Sequence, residues 1–340
     1  MNSQKTTAKS VFSKIKDSDI LFLVIALIVL CVIMSLTSQV FLSERNIMNM
    51  LRQVSLTAVC GFGLAMVILL GEIDLSVGSQ QAIAGLCSVV TLNATGSIAL
   101  AVLAALAAGA GVGALNGFLV AKGKMNSLIV TLGTMTIWRG VAMVTTDAVS
   151  IQAAYPDFQT LGTGYVGPIP NGVIIMAILF VAIWYILRHT TFGRYIYAIG
   201  GNQEASKLAG LPVDRMRITV YIISGVLTML AGVLLASRMS SAQPSAGDGF
   251  EMTVIAAIIL GGVSLNGGIG GIGGAFIGML ILGVLENGLT LLDVSSFWQN
   301  IARGIVIILA VYLDEVRKAR LAKKIVQEQK DHLKKEGIAA

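Results

Sequence analysis

Residues 20–37 read Ile-Leu-Phe-Leu-Val-Ile-Ala-Leu-Ile-Val-Leu-Cys-Val-Ile-Met-Ser-Leu-Thr, without a single charge. As a helix this stretch covers about 27 Å, close to the roughly 30 Å hydrocarbon core of a bilayer. A basic flank with Lys5, Lys9, Lys14 and Lys16 precedes it, no A-x-A site follows, and further apolar runs come after. It therefore reads as a first membrane span rather than a cleaved signal. The rest of the chain agrees: of 340 residues, 55% are hydrophobic and 12% charged. A soluble domain carries about 25% charged residues, and disorder needs low hydrophobicity with high charge. Both classes are excluded.

Apolar windows fall at 20–37, 54–71, 76–92, 98–120, 127–144, 172–187, 218–237, 253–263, 269–286 and 298–313. The third, eighth and ninth are short or glycine-rich, so an all-α polytopic membrane protein of eight to ten spans is expected. Orientation follows from the positive-inside bias. Lys122 and Lys124 follow the fourth window. Arg188, Arg194, Lys207, Arg215 and Arg217 follow the sixth, and Arg317, Lys318, Arg320, Lys323 and Lys324 the tenth. The loop 145–172 holds Asp147 and Asp157 and no Lys or Arg. Ten spans place the basic groups and both termini in the cytoplasm, with Arg45, Arg52 and Arg238 as exceptions. The expected division is a cytoplasmic segment 1–19, a membrane domain 20–313 with a cytoplasmic loop at 188–217, and a basic tail 314–340. That tail carries Val316, Leu321, Ile325 and Val326 at helical spacing, as a solvated or membrane-surface helix would. The net charge of +6 flanks apolar stretches, which accounts for it without nucleic acid.

Leu70-Gly-Glu-Ile-Asp-Leu-Ser-Val-Gly78 can be laid on Leu260-Gly-Gly-Val-Ser-Leu-Asn-Gly-Gly268, and Asn116-Gly117 echoes Asn287-Gly288. With an odd number of spans between the halves, such echoes point to an inverted repeat. Glycine-interrupted apolar segments in matching places of two halves mark a solute path.

Ionisable groups inside apolar runs need a reason, because a charge at the bilayer centre costs about 2.5–3.5 kcal/mol on insertion scales. Asp74 has three readings: a cap on the helix that follows it, a buried ion pair with Arg139 (or with Arg303), or a solute contact. Asp74, Ser76, Asn116, Asn126, Thr131, Asn266 and Asn287 are the candidate lining of a translocation pathway. Thr134 and Gln299 are further polar positions within the windows. The competing reading for each amide or hydroxyl is an interhelical hydrogen bond. Phe297 and Trp298 read as interfacial anchors.

Enzymatic chemistry finds no foothold. Gly268-Ile-Gly-Gly-Ile-Gly273 matches G-x-G-x-x-G formally, but no strand precedes it. Gly270, Gly274 and Gly278, like Gly109, Gly113 and Gly117, fit small-xxx-small helix contacts instead. There is no P-loop, HExxH or G-x-S-x-G. His189 and His332 have no ligand-spaced partner, and Cys31, Cys60 and Cys87 read as packing residues. No catalytic residue and no metal site are expected.

The most informative loop surrounds Gly200-Gly201. Asn202 is placed to cap a short helix over 203–209, Gly210 to end it, and Pro212 to prevent its continuation. A two-turn helix is not stable alone. A socket on a cytoplasmic partner is a physical reason to keep one; a plain surface loop is the alternative.

Residues 71–79, Glu204-Ala205 with Gly210, Ser240-Ser-Ala-Gln-Pro-Ser-Ala-Gly247, residues 254–268 and Val294-Ser-Ser-Phe-Trp298 together resemble the ribose/xylose/arabinose-type permeases of ABC importers. The resemblance covers about 20–314 in order and is nearest to the ribose permeases. It implies a transport subunit in the bacterial plasma membrane, working as a pair of permease chains that form a homodimer. A cytoplasmic ATPase would bind ATP and magnesium, and an extracytoplasmic binding protein would deliver a monosaccharide, expected to be a pentose. No cofactor is implied on this chain. The resemblance carries a coupling role onto Gln203, Glu204, Ala205, Lys207, Leu208, Ala209 and Gly210, with Arg194, Lys207 and Arg215 facing acidic rims of the ATPase. Where such permeases often have Gly-Ile-Asp or Gly-Thr-Asp, this chain has Glu72-Ile73-Asp74. The competing classes are an ion-coupled transporter or channel using Asp74 and Glu286, a permease for a nucleoside or other sugar-like solute, and a membrane scaffold.

Overall fold

The structure is a computed structural model; it describes residues 3–312 and 315–316, with side chains from residue 20 onward. The expected tail helix with Val316, Leu321, Ile325 and Val326 falls, but for residue 316, outside the described residues.

Helices α1 (Ser3–Thr37), α2 (Glu44–Leu69), α3 (Val77–Thr95), α4 (Ile98–Ala121) and α5 (Ser127–Thr146) occupy the first half. A non-membrane stretch follows, with β1 (Ile151–Gln152), α6 (Gln159–Thr163), β2 (Tyr165–Val166) and β3 (Ile169–Pro170). Then come α7 (Asn171–His189), α8 (Thr191–Gly201), α9 (Gln203–Leu208), α10 (Val213–Met239), β4 (Ser241–Ala242), α11 (Phe250–Leu260), α12 (Ile272–Leu291) and α13 (Ser296–Tyr312). The starts obey local chemistry. Ser43, Ser97 and Asn126 each cap α2, α4 and α5 by accepting a first-turn N–H.

Among the described residues, seven helices are long and apolar enough to cross a membrane: α1 from residue 20, α2, α4, α5, α7, α10 and α12. The ten apolar windows all become helices, but α11 has only 11 residues, about 16 Å, and cannot span alone. The window at 253–263 is therefore half a span, preceded by a non-helical run at 240–249.

Close contacts fix the helix directions. Cys60 meets Thr228 and Gly63 meets Ser224, so α2 and α10 are antiparallel. Gly109, Gly113 and Gly117 of α4 lie against Gly225, Tyr221 and Ile218 of α10, again antiparallel. Gly274 and Gly278 of α12 rest on Gly261 and Ala257, the end of α11. The small-xxx-small expectation thus holds for these five glycines. Gly270 is different: it sits in the loop before α12 at φ +114°, a turn position rather than a helix contact.

α2 is the hub, with 83% of its most apolar window buried against 11% for α1. Phe62, Phe180 and Phe276 join α2, α7 and α12 with ring centroids 5.1–6.2 Å apart. Such tilted pairs add about 0.5–1.5 kcal/mol each beyond area burial.

The order of elements is that of an inverted repeat. The antiparallel α2 and α10 have 26 and 27 residues, and each is followed by a non-helical run (70–76, 240–249) and a helix running back. Asn116 and Asn287 then fall late in the equivalent helices α4 and α12. The other echo needs correction. Residues 70–78 and 260–268 both follow helices that point the same way, so they are not inverted counterparts. Their likeness is one capping motif used twice. Gly71 N donates to Ile68 O and Glu72 N to Val67 O, as Gly262 N does to Ile259 O and Val263 N to Ile258 O. Gly71 (φ +80°) therefore matches Gly262 (φ +84°), one residue from the sequence alignment. The two turns also touch, with Gly268 N donating to Leu69 O at 2.9 Å.

Candidate functional site

Two places combine polar side chains with an unusual backbone: the run 70–76, inside the helix bundle, and the α8–α9 segment at one of its ends.

The run between α2 and α3 is not helical: the left-handed turn at Gly71 (φ +80°) ends α2, and residues 72–75 belong to neither helix nor strand. Its backbone groups are met by neighbours. Ile73 N donates to Ser127 Oγ at 3.3 Å, while Thr131 Oγ1 and Tyr221 OH donate to Ile73 O at 3.2 and 3.3 Å. Asp74 is fully buried, and its Oδ1 accepts from Ser76 N at 2.9 Å and from Ser76 Oγ at 2.5 Å. Ser76 Oγ in turn accepts from Gln80 Nε2 at 2.8 Å and Asn116 Nδ2 at 3.0 Å. One serine hydroxyl thus gathers a carboxylate and two amides from three chain segments. Asp74 Oδ2, Gln80 Oε1 and Asn116 Oδ1 are buried without a partner among the described residues.

The cap reading of Asp74 holds in a modified form: the carboxylate secures Ser76, the residue before α3, rather than the first-turn N–H groups inside it. The ion pair with Arg139 is absent. Arg139 Nη1 instead donates to Pro244 O and Ala246 O, both at 2.7 Å. The run 240–249 passes beside α3 and offers carbonyls that no helix has satisfied, so the guanidinium is spent there. Arg303 is taken as well, holding Glu286 Oε1 at 3.0 Å. Glu72, the unusual acid, is buried and pairs with Arg217.

The other candidate pathway residues separate. Asp74, Ser76 and Asn116 cluster, and Thr131 braces the neighbouring Ile73 from α5. Asn126 is the α5 cap, and Asn287 forms a reciprocal amide pair with Asn46, both bonds at 2.9 Å. Asn266 lies in the turn against Gly71. A cavity of about 190 Å³ lies between α3, α10 and 240–249, with Gln81, Ser241 and Gln243 among its lining residues. These three were missed in the sequence because only the return of 240–249 along α3 brings them together.

At the α9 end, the expected local signals are all used. Asn202 Oδ1 accepts from Ala205 N at 2.9 Å, and Gly210 takes φ +78°. Helix α9 ends at Leu208, one residue before the expected Ala209, which forms its C-cap. Contacts behind it replace the stability it lacks: Ser206 is buried, Leu211 N donates to Ser206 O at 3.0 Å, and Arg217 Nη2 donates to Gln203 Oε1 at 2.8 Å. Its outer face is bare, with Leu208 90% exposed and the Glu204 side chain 82% exposed. Lys207 reaches Glu204 at 3.6 Å. A groove of about 330 Å³ runs beside it, edged by Lys122, Lys207, Asp214 and Arg215.

The preceding helix anchors this unit. Gly200 packs on Leu69 O and Gly268 N, so no side chain fits there, and Gly268 in turn packs on Gly201. Tyr197 OH donates to Gly270 O at 3.2 Å. Burial pushes the Tyr197 phenol up from its ordinary pKa, which keeps it a donor. The turns after α2 and α11 and the C-terminus of α8 therefore meet in one knot, from which α9 projects.

Comparison with known proteins places this architecture. The family model described as "Branched-chain amino acid transport system / permease component" matches residues 46–311. The ribose import permease protein of Haemophilus influenzae is 46% identical over 294 residues, covering 85% of this chain and 91% of that protein. The ribose import permease protein of Bacillus subtilis is 44% identical over 87% of this chain and 92% of its own length. An L-arabinose ABC transporter permease protein of Azospirillum brasilense is 41% identical over 89% and 90%. No solved structure matches the chain. A bundle of apolar helices with a buried polar centre and no catalytic constellation among its described residues is thus assigned by its relatives: the chain belongs to this family of multi-pass membrane permease components, transport subunits rather than enzymes.

Proposed function

We propose that this chain is the membrane-spanning half-pathway of an ABC importer for a pentose, ribose first among them. The identities to ribose and arabinose permeases support the solute class. The observation that carries the mechanism is α9: a six-residue helix, held from behind, that presents Leu208 at 90% exposure. An apolar tip of this kind on a rigid stem suits a groove on an ATPase, and the edge of Lys122, Lys207 and Arg215, basic by its excess over Asp214, suits an acidic rim around it. The α9 end is then cytoplasmic, as the positive-inside bias also requires, and the opposite end faces a solute-binding protein.

In this mechanism two copies of the chain flank one pathway in the bacterial plasma membrane. ATP and magnesium act on the partner subunit, and closure of the ATPase displaces α9. The solute leaves its binding protein and meets the polar lining at Gln81, Ser241 and Gln243. The pathway binds it weakly, because tight binding there would slow release. Asp74, Ser76 and Asn116 are fully buried in the present state; exposing them to solute requires the rocking of the two halves that an inverted repeat permits.

The test is uptake of radiolabelled ribose into proteoliposomes holding this chain, its ATPase and its binding protein. Uptake should require ATP inside the compartment that faces α9 and persist after the proton gradient is collapsed. Uptake without the ATPase, abolished by collapsing the gradient, would reject the reading in favour of an ion-coupled carrier. Structure already weighs against that carrier, since Glu286, one of its two carboxylates, is held by Arg303.

A further inference from the structure

Arg217 occupies the first turns of α10 and makes two contacts with one nitrogen. Its Nη2 lies 2.5 Å from Glu72 Oε1 and donates to Gln203 Oε1 at 2.8 Å. The pair is enclosed, with side-chain exposures of 15% for Arg217 and 7% for Glu72. Gln203 is the first residue of α9, and Glu72 is the first residue after the glycine turn of α2. The next residue, Ile73, is gripped by Ser127, Thr131 and Tyr221, and the one after is Asp74, which secures the start of α3. A continuous chain of contacts therefore runs from the projecting helix to the buried cluster at the start of α3.

Other features of the neighbourhood do not offer the same path. The backbone knot of Leu69, Gly200 and Gly268 holds α8 rigidly against α2 but precedes Gly71, whose turn separates it from the run 72–76. The Lys122–Asp214 pair at 2.9 Å links α4 to α10, yet it is solvent-exposed, faces Lys207 of α9 only across the groove, and makes no contact with the cluster. A charged hydrogen bond in an enclosed site is both stronger and more directional than an exposed one. Among these contacts the guanidinium alone bridges α9 to the polar run.

We propose that Arg217 is a positioning residue that ties Gln203 to Glu72, so that displacement of α9 is delivered to residues 72–76 and shifts the start of α3. The inference rests on α9 being the docking helix for the ATPase. The unusual acid at position 72 then has a role distinct from solute contact: it is the receiving end of the link.

The experiment uses the assembled transporter in proteoliposomes and reads two quantities for each variant. One is solute transported per ATP hydrolysed; the other is the disulfide crosslink from Leu208→Cys to a cysteine placed on the ATPase subunit. Glu72→Gln should keep the crosslink while transport per ATP falls about tenfold, the range of ordinary coupling effects. Gln203→Met, which removes the partly exposed end of the link and leaves the ion pair, should lower the same ratio. The exchanged pair Glu72→Arg with Arg217→Glu should recover part of the loss, an outcome that a merely space-filling role would not produce. An intact crosslink with an unchanged ratio in Glu72→Gln and Gln203→Met overturns the link while leaving the docking of α9 in place. Absence of the crosslink in the otherwise unaltered chain overturns the docking itself, and the link with it.

Discussion

At the residue scale the central question is what Asp74 does with its carboxylate. Only Oδ1 is used, and both of its donors belong to Ser76. An asparagine retains an oxygen at that place, whereas an alanine leaves Ser76 N buried without an acceptor. Asp74→Asn is therefore expected to fold with a thermal midpoint close to that of the parent in detergent. Asp74→Ala should lose about 1–3 kcal/mol, the cost of an unsatisfied buried donor. Equal, large losses in both would show that the charge itself supports the fold. Arg217 and Glu72 obey a harsher rule, since removing one member of an enclosed pair costs about 3–5 kcal/mol. That is why each variant is read by its crosslink to the ATPase as well as by transport per ATP: a chain that still docks has kept its fold.

The element that matters most is also among the shortest. Helix α9 has six residues and depends on Asn202 at one end and Gly210 at the other. Gly210 has φ +78°, a conformation in which a β-branched side chain is strained, and a Cβ there would meet no neighbouring atom within 4 Å. The effect of Gly210→Val should accordingly be conformational: about 1–2 kcal/mol against the left-handed cap. Transport per ATP should fall, with the thermal midpoint of the bundle nearly unchanged. Unaltered transport by that variant would remove the cap of α9 from the mechanism. Asn202→Ala should act in the same direction, losing about 1 kcal/mol of capping.

On the scale of the whole molecule, the bundle is a set of antiparallel helices brought close by glycine. A Cβ on Gly113 would lie 2.8 Å from Ile222 Cα and one on Gly117 2.8 Å from Ile218 Cα, so α4 and α10 meet backbone to backbone. Gly113→Leu should separate them, lowering stability by about 1–3 kcal/mol or more and the thermal midpoint with it. A variant at Gly133, which has no atom within 4 Å of its Cβ position, should leave the midpoint unchanged in detergent and serves as the control.

Apolar length and local capping were written plainly in the chain. Windows of about 20 predominantly apolar residues have no other stable fate in a bilayer, and Asn202 with Gly210 bounded α9 to within one residue, because a cap acts through groups only three or four positions away. The glycine-rich turns at Gly71 and Gly262 were visible too, but their likeness reflected a shared cap and not a shared ancestry of halves. Partnership was another matter. Asp74 was free, on paper, to choose Arg139 or Arg303, yet the first is held by carbonyls of residues 244 and 246 and the second by Glu286. The cation nearest in consequence, Arg217, took Glu72 instead. Hydrophobic length and caps are properties of adjacent residues, so the sequence alone determines them. Which buried charge meets which depends on how helices remote in sequence are rotated and stacked, and only the tertiary structure decides that.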